Sequence, residues 1–451
     1  MRRNIKRHTE GSISKSIISL AVPVIIANFL NIALEITDAI FVGKLGSKVL
    51  AGVSMAGTIM FFLSTFIGGL GVGLIALLSR AFGEKDFEKA DHIALQAFYL
   101  GIIISFFIGT VGYFSSDILL KFLGAKDDVL KVGSDYSKIL FLGLFTMFFM
   151  FLGNAVFQAA GNTFTSMKIS ALSTILNIIL DPIMIFGFFG FPRLEARGAA
   201  LATVFARTVG SFVMLYALFK QNGVVHLKVK ENLYLDFEVV KKILFIGLPG
   251  SVQMLLRSFS MVVLTKLATF FGSVVVAAYG VGARIYHLFL FPGFGFGAAA
   301  STMVGQNLGA KNTQRAQKSV LVALSYYFVL NLIAGILVFI FAKEISLVFN
   351  KEPEFVAVSS VYFRYIVVAA MFTTFGVVLS QSLQGAAETV IPMISVFVSL
   401  YLVQIPSAYF LSNRFGLKEK GIWASAVLGN FTNALIVSLV FLSGSWKHKK
   451  V

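Results

Sequence analysis

Three carboxylates stand inside otherwise apolar stretches of this chain: Glu35, Asp38 and Asp181. A charge at mid-membrane depth costs about 2.5–3.5 kcal/mol on insertion scales, so it is usually kept where it binds an ion or marks an ion path. Asn177 precedes Asp181 by four residues and would share its helix face. Thr203 lies early in a later apolar stretch. At about 1.5 Å of rise per residue, Asp38, Asp181 and Thr203 fall roughly 7–9 Å inside the same boundary. Two carboxylates, a carboxamide and a hydroxyl at one depth make an oxygen donor set. Such a set could hold Na⁺ or carry a proton on a carboxylate. The competing reading is that Asn177 and Thr203 merely hydrogen-bond helices together, as such residues often do. Glu35, three residues before Asp38, is either a second site carboxylate or faces a water-filled vestibule.

Apolar helices must position these groups. The sequence is 57% hydrophobic and 13% charged, about half the charged fraction of a soluble domain. Twelve stretches are long enough to span a bilayer as helices. The first starts near Ser16 and runs to about Phe41, followed by Val49–Ser79, Ile93–Ser116, Ile139–Met167, Ile169–Phe188 and Gly198–Phe219. Six more lie near 243–267, 274–306, 319–342, 355–383, 389–413 and 421–445. The expected fold is an all-α membrane protein of twelve transmembrane helices.

The chain also repeats itself. Pro23 falls on Pro249, Gly69 and Gly71 on Gly295 and Gly297, and Gly83-Glu84-Lys85 on Gly309-Ala310-Lys311, always 226 positions apart. Beyond Met167 the register slips by about three residues, so that Gly198 meets Gly421. Two similar apolar halves are a usual architecture of secondary transporters. The expected organisation is an N-terminal lobe over 1–220, a connecting loop over 221–242 and a C-terminal lobe over 243–451, the two six-helix lobes being pseudo-symmetric. A short surface helix is expected in the connector after Leu235. The counterparts of Glu35, Asp38 and Asp181 are Met261, Leu264 and Ser407, none ionisable. Pro23 and Pro249 are matched kink or hinge positions. Arg207 and Arg257 are read as snorkelling toward one surface.

Other classes are excluded on simple grounds. The chain has no cysteine, and hence no disulfide, thiolate metal site or Cys nucleophile. It has no HExxH, GxSxG or P-loop, which leaves an ion gradient as the driving force and no cofactor. The net charge of +17 does not indicate nucleic acid, because the basic residues sit in short loops between apolar spans. An even number of spans puts both termini on one side. The basic residues Arg2, Arg3, Lys6 and Arg7 at one end, and Lys447, Lys449 and Lys450 at the other, make that side cytoplasmic.

The run TDAIFVGKLG at 37–46, the loops at 83–85 and 306–310, FQAAGNT at 157–163 and Asn177-Ile178-Ile179-Leu180-Asp181-Pro182 together resemble the MATE (multidrug and toxic compound extrusion) transporters, and its DinF-like branch. The resemblance covers essentially the whole chain. It implies two lobes around a central cavity, alternating access, and efflux of amphipathic, often cationic organic compounds and drugs driven by H⁺ or Na⁺. It also implies a cation site at Asp38, Asn177, Asp181 and Thr203, a lipid-embedded monomer as the working unit, and the cytoplasmic (inner) membrane as its location. Other branches use acidic residues in helices 7 and 10, where this chain has none. A lipid-linked oligosaccharide or lipid flippase of the same superfamily is the alternative, disfavoured because such relatives usually have fourteen spans. An intramembrane lipid enzyme would need a nucleophile or metal cluster.

Overall fold

The computed structural model describes residues 7–220 and 234–449. Arg2, Arg3, Lys6 and Lys450 and most of the connector lie outside the described residues. Among the latter the fold is all helical. The N-terminal half contains α1 (Ile13–Gly43), α2 (Ser47–Glu84), α3 (Phe87–Phe122), α4 (Asp127–Leu142), α5 (Leu144–Ala159), α6 (Thr163–Phe186) and α7 (Ala196–Phe219). The C-terminal half contains α8 (Phe237–Thr269), α9 (Ser273–Gly309), α10 (Thr313–Ile340), α11 (Ala342–Phe349) and α12 (Pro353–Gly385). It continues with α13 (Val390–Phe397), a π-helical stretch to Gln404, α14 (Ile405–Asn413) and α15 (Glu419–Ser443). Among the described residues, eleven helices are long and apolar enough to cross a membrane, and α4 with α5, bent by 52° at Gly143, makes twelve. Helices are required because hydrocarbon offers no partner to an open backbone.

The repeat is visible in the backbone. The turns before α3 and α10 are closed by left-handed Lys85 (φ 61°) and Lys311 (φ 60°), and capped by Asp86 and Asn312, which accept from Lys89 N–H and Arg315 N–H at 3.0 Å each. Glu195 (φ 52°) and Lys418 (φ 51°) open α7 and α15, 223 positions apart. They record the three-residue slip seen in the sequence.

Two boundaries differ from the sequence expectation. The fourth span is not 139–167. It begins at Asp127, and the apolar run is cut at Gly161 (φ 76°) and Asn162, whose side chain caps α6. Hydropathy alone sees neither the left-handed turn nor the polar start of α4. The C-terminal lobe begins before 243. Asp236 accepts hydrogen bonds from Glu238 and Val239 N–H and starts α8 directly, so no separate surface helix intervenes there.

The two halves meet at the middle of the bundle and toward the end that carries both termini. Ser251 Oγ donates to Phe66 O at 2.8 Å near mid-depth, where a Cβ on Gly69 would fall on Ser251. Closer to the termini, Gln306 Nε2 donates to Ala159 O at 2.7 Å and Thr302 Oγ1 to Gln158 O at 3.3 Å. Gly83 lies directly on the Gln306 carbonyl, and Gly309 on that of Arg80. Among the described residues, no hydrogen bond joins the halves nearer the opposite face. The lobes are therefore closed on the side of the termini.

His8 is buried in that closed end, with Nδ1 3.2 Å from Gln306 Oε1, while Arg315 donates to the His8 carbonyl at 3.0 Å. Burial drives its pKa down to about 4, the Gln306 hydrogen bond opposes this, and Arg7 and Arg315 add to the lowering. The closed end thus holds His8 neutral. An opened end would return it toward about 6.5, so closure loses stability as pH falls below that value. A thiol at Thr302→Cys, otherwise buried, loses thiolate and labels more slowly at pH 5 than at pH 7.5. The slowing is expected to be smaller with His8 present than in a His8→Gln background, which carries the thiol ionisation alone. Equal pH dependence in both would remove His8 from the closure.

Candidate functional site

Three elements of the N-terminal lobe converge on Asp181. α6 carries Asn177 and Asp181 and ends at left-handed Gly187 (φ 81°). α7 carries Thr203, and its entry is pinned to α6 where Gly198 packs on the Met184 carbonyl. A second pin, Ser173 Oγ to Ala206 O at 3.0 Å, lies deeper along the same pair. A side chain at Gly198 would push the helices apart. The two pins bracket the height at which Asn177 faces Thr203.

The hydrogen-bond network sets the orientation of the Asn177 amide. Its Nδ2 donates to Asp181 Oδ2 at 2.9 Å and Oδ1 at 3.3 Å, and its Oδ1 accepts from Thr203 Oγ1 at 3.1 Å and Thr203 N–H at 3.2 Å. Asp181 is fully buried and Asn177 nearly so. The amide is a two-way connector, with its donors on the carboxylate of its own helix and its acceptor on the neighbouring helix.

Asp38 arrives from α1. One of its carboxylate oxygens is buried without a hydrogen-bond partner, and the group lies within electrostatic range of Asp181 and Arg207. Tyr136 of α4 is buried beside these charges. Asp38, Asn177, Asp181 and Thr203 are thus brought into one region. Glu35 is not. It is exposed one turn away and interacts with none of them.

Sequence reasoning missed Arg207 and Tyr136. Arg207 does not snorkel. It is half-buried inside the lobe, in electrostatic contact with Asp38 and Tyr136. It stands four residues after Thr203, the same spacing that linked Asn177 with Asp181, so a same-face argument could have found it. Tyr136 lies in the polar part of α4 that hydropathy left outside the span.

Pro23 is buried in an unbroken α1, next to Ala21 and Ile25 where these meet Gly295 of α9. Pro249 lies in α8 between Gly247 and Gly250, which cross α2 at Leu70 and Gly69. Both matched prolines therefore sit where one lobe touches the other. At the positions equivalent to the acidic residues, Leu264 is buried, Met261 is exposed and Ser407 Oγ donates to Gln404 O at 3.1 Å.

The fit to a cation follows from the donor set. Among the described residues, no three His, Cys, Asp or Glu converge as a metal site. Na⁺ held jointly by Asp181 and Asn177 would take the amide oxygen on the Asp181 side, whereas an ionised Asp181 without an ion takes Nδ2, so the amide orientation follows the occupant. A proton needs no such ligand.

A family model described as MatE matches residues 23–183 and again 249–410, once in each half. The chain is 25% identical over 444 residues to a probable multidrug resistance protein NorM of Thermotoga maritima, covering 97% of this chain and 94% of that one. It is 25% identical over 412 residues to an FAD transporter of Shewanella oneidensis, covering 90% of each. A solved structure described as the outward-facing conformation of a multidrug resistance MATE family transporter superposes with a TM-score of 0.90 at 26% identity, covering 98% of both chains.

Proposed function

The chain belongs to the MATE family of multidrug efflux transporters, and on that premise we propose that it is a proton-driven antiporter exporting amphipathic organic compounds across the cytoplasmic membrane. It is a multi-pass transporter and not an enzyme. The observation that carries the proton reading is the fully buried Asp181 carboxylate with a second carboxylate, Asp38, in electrostatic range and no basic side chain hydrogen-bonded to it among the described residues, an arrangement in which one proton relieves the repulsion. With both termini cytoplasmic, the closed end faces the cytoplasm and the structure corresponds to an outward-open state. The working unit in this reading is a monomer in lipid.

The coupling step follows from hydrogen-bond inventory. An ionised Asp181 only accepts, and Asn177 Nδ2 satisfies it. A proton arriving from outside makes Asp181 a donor at one oxygen. With the proton on the oxygen nearer Asn177 the amide must turn, which breaks the Thr203 N–H contact and reverses the one to Thr203 Oγ1, where the hydroxyl now accepts. Protonation thus changes how α6 is held to α7 and biases the lobe toward its other arrangement, by differential binding in the two states. Arg207 supplies a fixed positive charge beside Asp38, which lowers the attraction of the region for Na⁺. The absence of carboxylates at the equivalent C-terminal positions supports a DinF-like division of labour, with ion coupling confined to the N-terminal lobe.

Everted membrane vesicles with the pH and Na⁺ gradients imposed separately test this. Export of a fluorescent amphipathic probe is expected to follow the pH gradient and to be unchanged when Na⁺ is replaced by K⁺. Transport that stops without Na⁺ would overturn the proton reading.

A further inference from the structure

The C-terminal lobe has a charged centre that the coupling step leaves unused. Arg257 lies in the middle of α8, half-buried, and faces Tyr286 of α9 within electrostatic range. Tyr286 Oη is 2.8 Å from Thr373 Oγ1 of α12 and donates to Asn430 Oδ1 of α15 at 3.3 Å, and Thr373 Oγ1 donates to the same Asn430 oxygen at 3.0 Å. Asn430 Nδ2 donates onward to Ala426 O at 2.8 Å. These polar groups satisfy one another. Arg257 is different: among the described residues its guanidinium has no hydrogen bond and no ion pair, and its nitrogens are not sealed from solvent. Arg207 in the other lobe interacts with Asp38, whereas no carboxylate among the described residues has an electrostatic interaction with Arg257.

A guanidinium offers five donors in a planar fork matched to a carboxylate or phosphate. At this depth, with no acceptor of its own, its complement is an anionic group that enters from the gap between the lobes. Phe259, two residues on, points to the other side of α8, where it rests 5.7 Å from Phe62 of α2, and the aromatic ring beside the charge is that of Tyr286. We propose that Arg257, beside the Tyr286, Thr373 and Asn430 cluster, is the binding site for a carboxylate or phosphate group on an aromatic, amphipathic cargo. The cargo is then anionic at this end rather than cationic. This inference takes its setting from the efflux reading, while the site itself stands on geometry.

Binding of carboxyfluorescein to the purified protein in detergent, read by fluorescence anisotropy, is the test, with ethidium as the cationic counterpart. Arg257→Gln is expected to weaken carboxyfluorescein by about tenfold or more, to leave ethidium unchanged or tightened, and to keep the same elution volume. Arg257→Lys retains the charge without the fork and is expected to fall between. Arg364→Gln, on a side chain stacked over Phe339 at 5.5 Å, serves as the control and is expected to change neither. Equal carboxyfluorescein affinity in wild type and Arg257→Gln, or no binding to wild type, would overturn the anion site. Because binding is read apart from transport, a protein that binds the anion through Arg257 but exports nothing refutes only the efflux reading.

Discussion

Asp181→Asn is expected to reach the membrane at wild-type level and to lose about 30- to 150-fold of its gradient-driven export, the range of a coupling free energy of about 2–3 kcal/mol. The substitution is nearly isosteric and its amide can turn an oxygen toward Asn177 Nδ2, so the link from α6 to Thr203 survives. What it removes is the ability to gain and lose a proton. Asp38→Asn is a less clean experiment, although its position suggests the same role. It leaves Arg207, a half-buried positive charge, without the carboxylate in electrostatic range of it. Expression of Asp38→Asn is therefore expected to drop and to recover in the double variant with Arg207→Gln, whereas Asp181→Asn needs no such rescue. Vesicle export per unit of protein, measured with an imposed pH gradient, separates the two effects. Wild-type export by Asp181→Asn would remove Asp181 from the coupling step.

The spans and the twofold repeat were legible because lipid leaves a spanning chain few choices: a helix of fixed length, bounded by turns whose residues recur. The region around Asp181 was legible because polar residues in apolar stretches carry a cost that asks for a reason. What was not legible depends on rotation and on local polarity. Helical rise gave Arg207 a depth but not a facing, and its length suggested escape to the surface until Asp38 and Tyr136 were seen beside it. Glu35 was placed with Asp38 by sequence spacing, yet a three-residue step turns its side chain out of the cluster. Tyr136 was missed because α4 starts with Asp127 and Asp128 and carries Lys131, Asp135 and Lys138, too polar to read as part of a span. The pairing of Gly83 with Gln306 could not be read either, since a glycine in an apolar helix announces closeness without naming what is close.

That contact gives the other large effect. Gly83→Ala is expected to hold open the closed end, the one that carries the termini. A Cβ at Gly83 would fall on the Gln306 backbone carbonyl, and backbone on both sides cannot yield as a side-chain tip would. Gln306 is itself fixed to Ala159 O at 2.7 Å and faces His8, so a shift there disturbs the rest of the closure. Overpacking of this kind costs about 1–3 kcal/mol, which moves a two-state equilibrium by about 5- to 150-fold. The cost falls on the closed end alone, because separated lobes have room for a methyl group. A cysteine at Thr302, buried between the halves, should become reactive to a membrane-impermeant thiol reagent applied from the side of the termini, and export should fall with it. Gly57→Ala is the matched control, since a Cβ there meets nothing within 4 Å, and both readouts should stay at wild-type values. If Gly83→Ala kept Thr302→Cys protected and exported normally, the closure of the two lobes would not depend on this crossing, and the link drawn between the packed end and alternating access would fail.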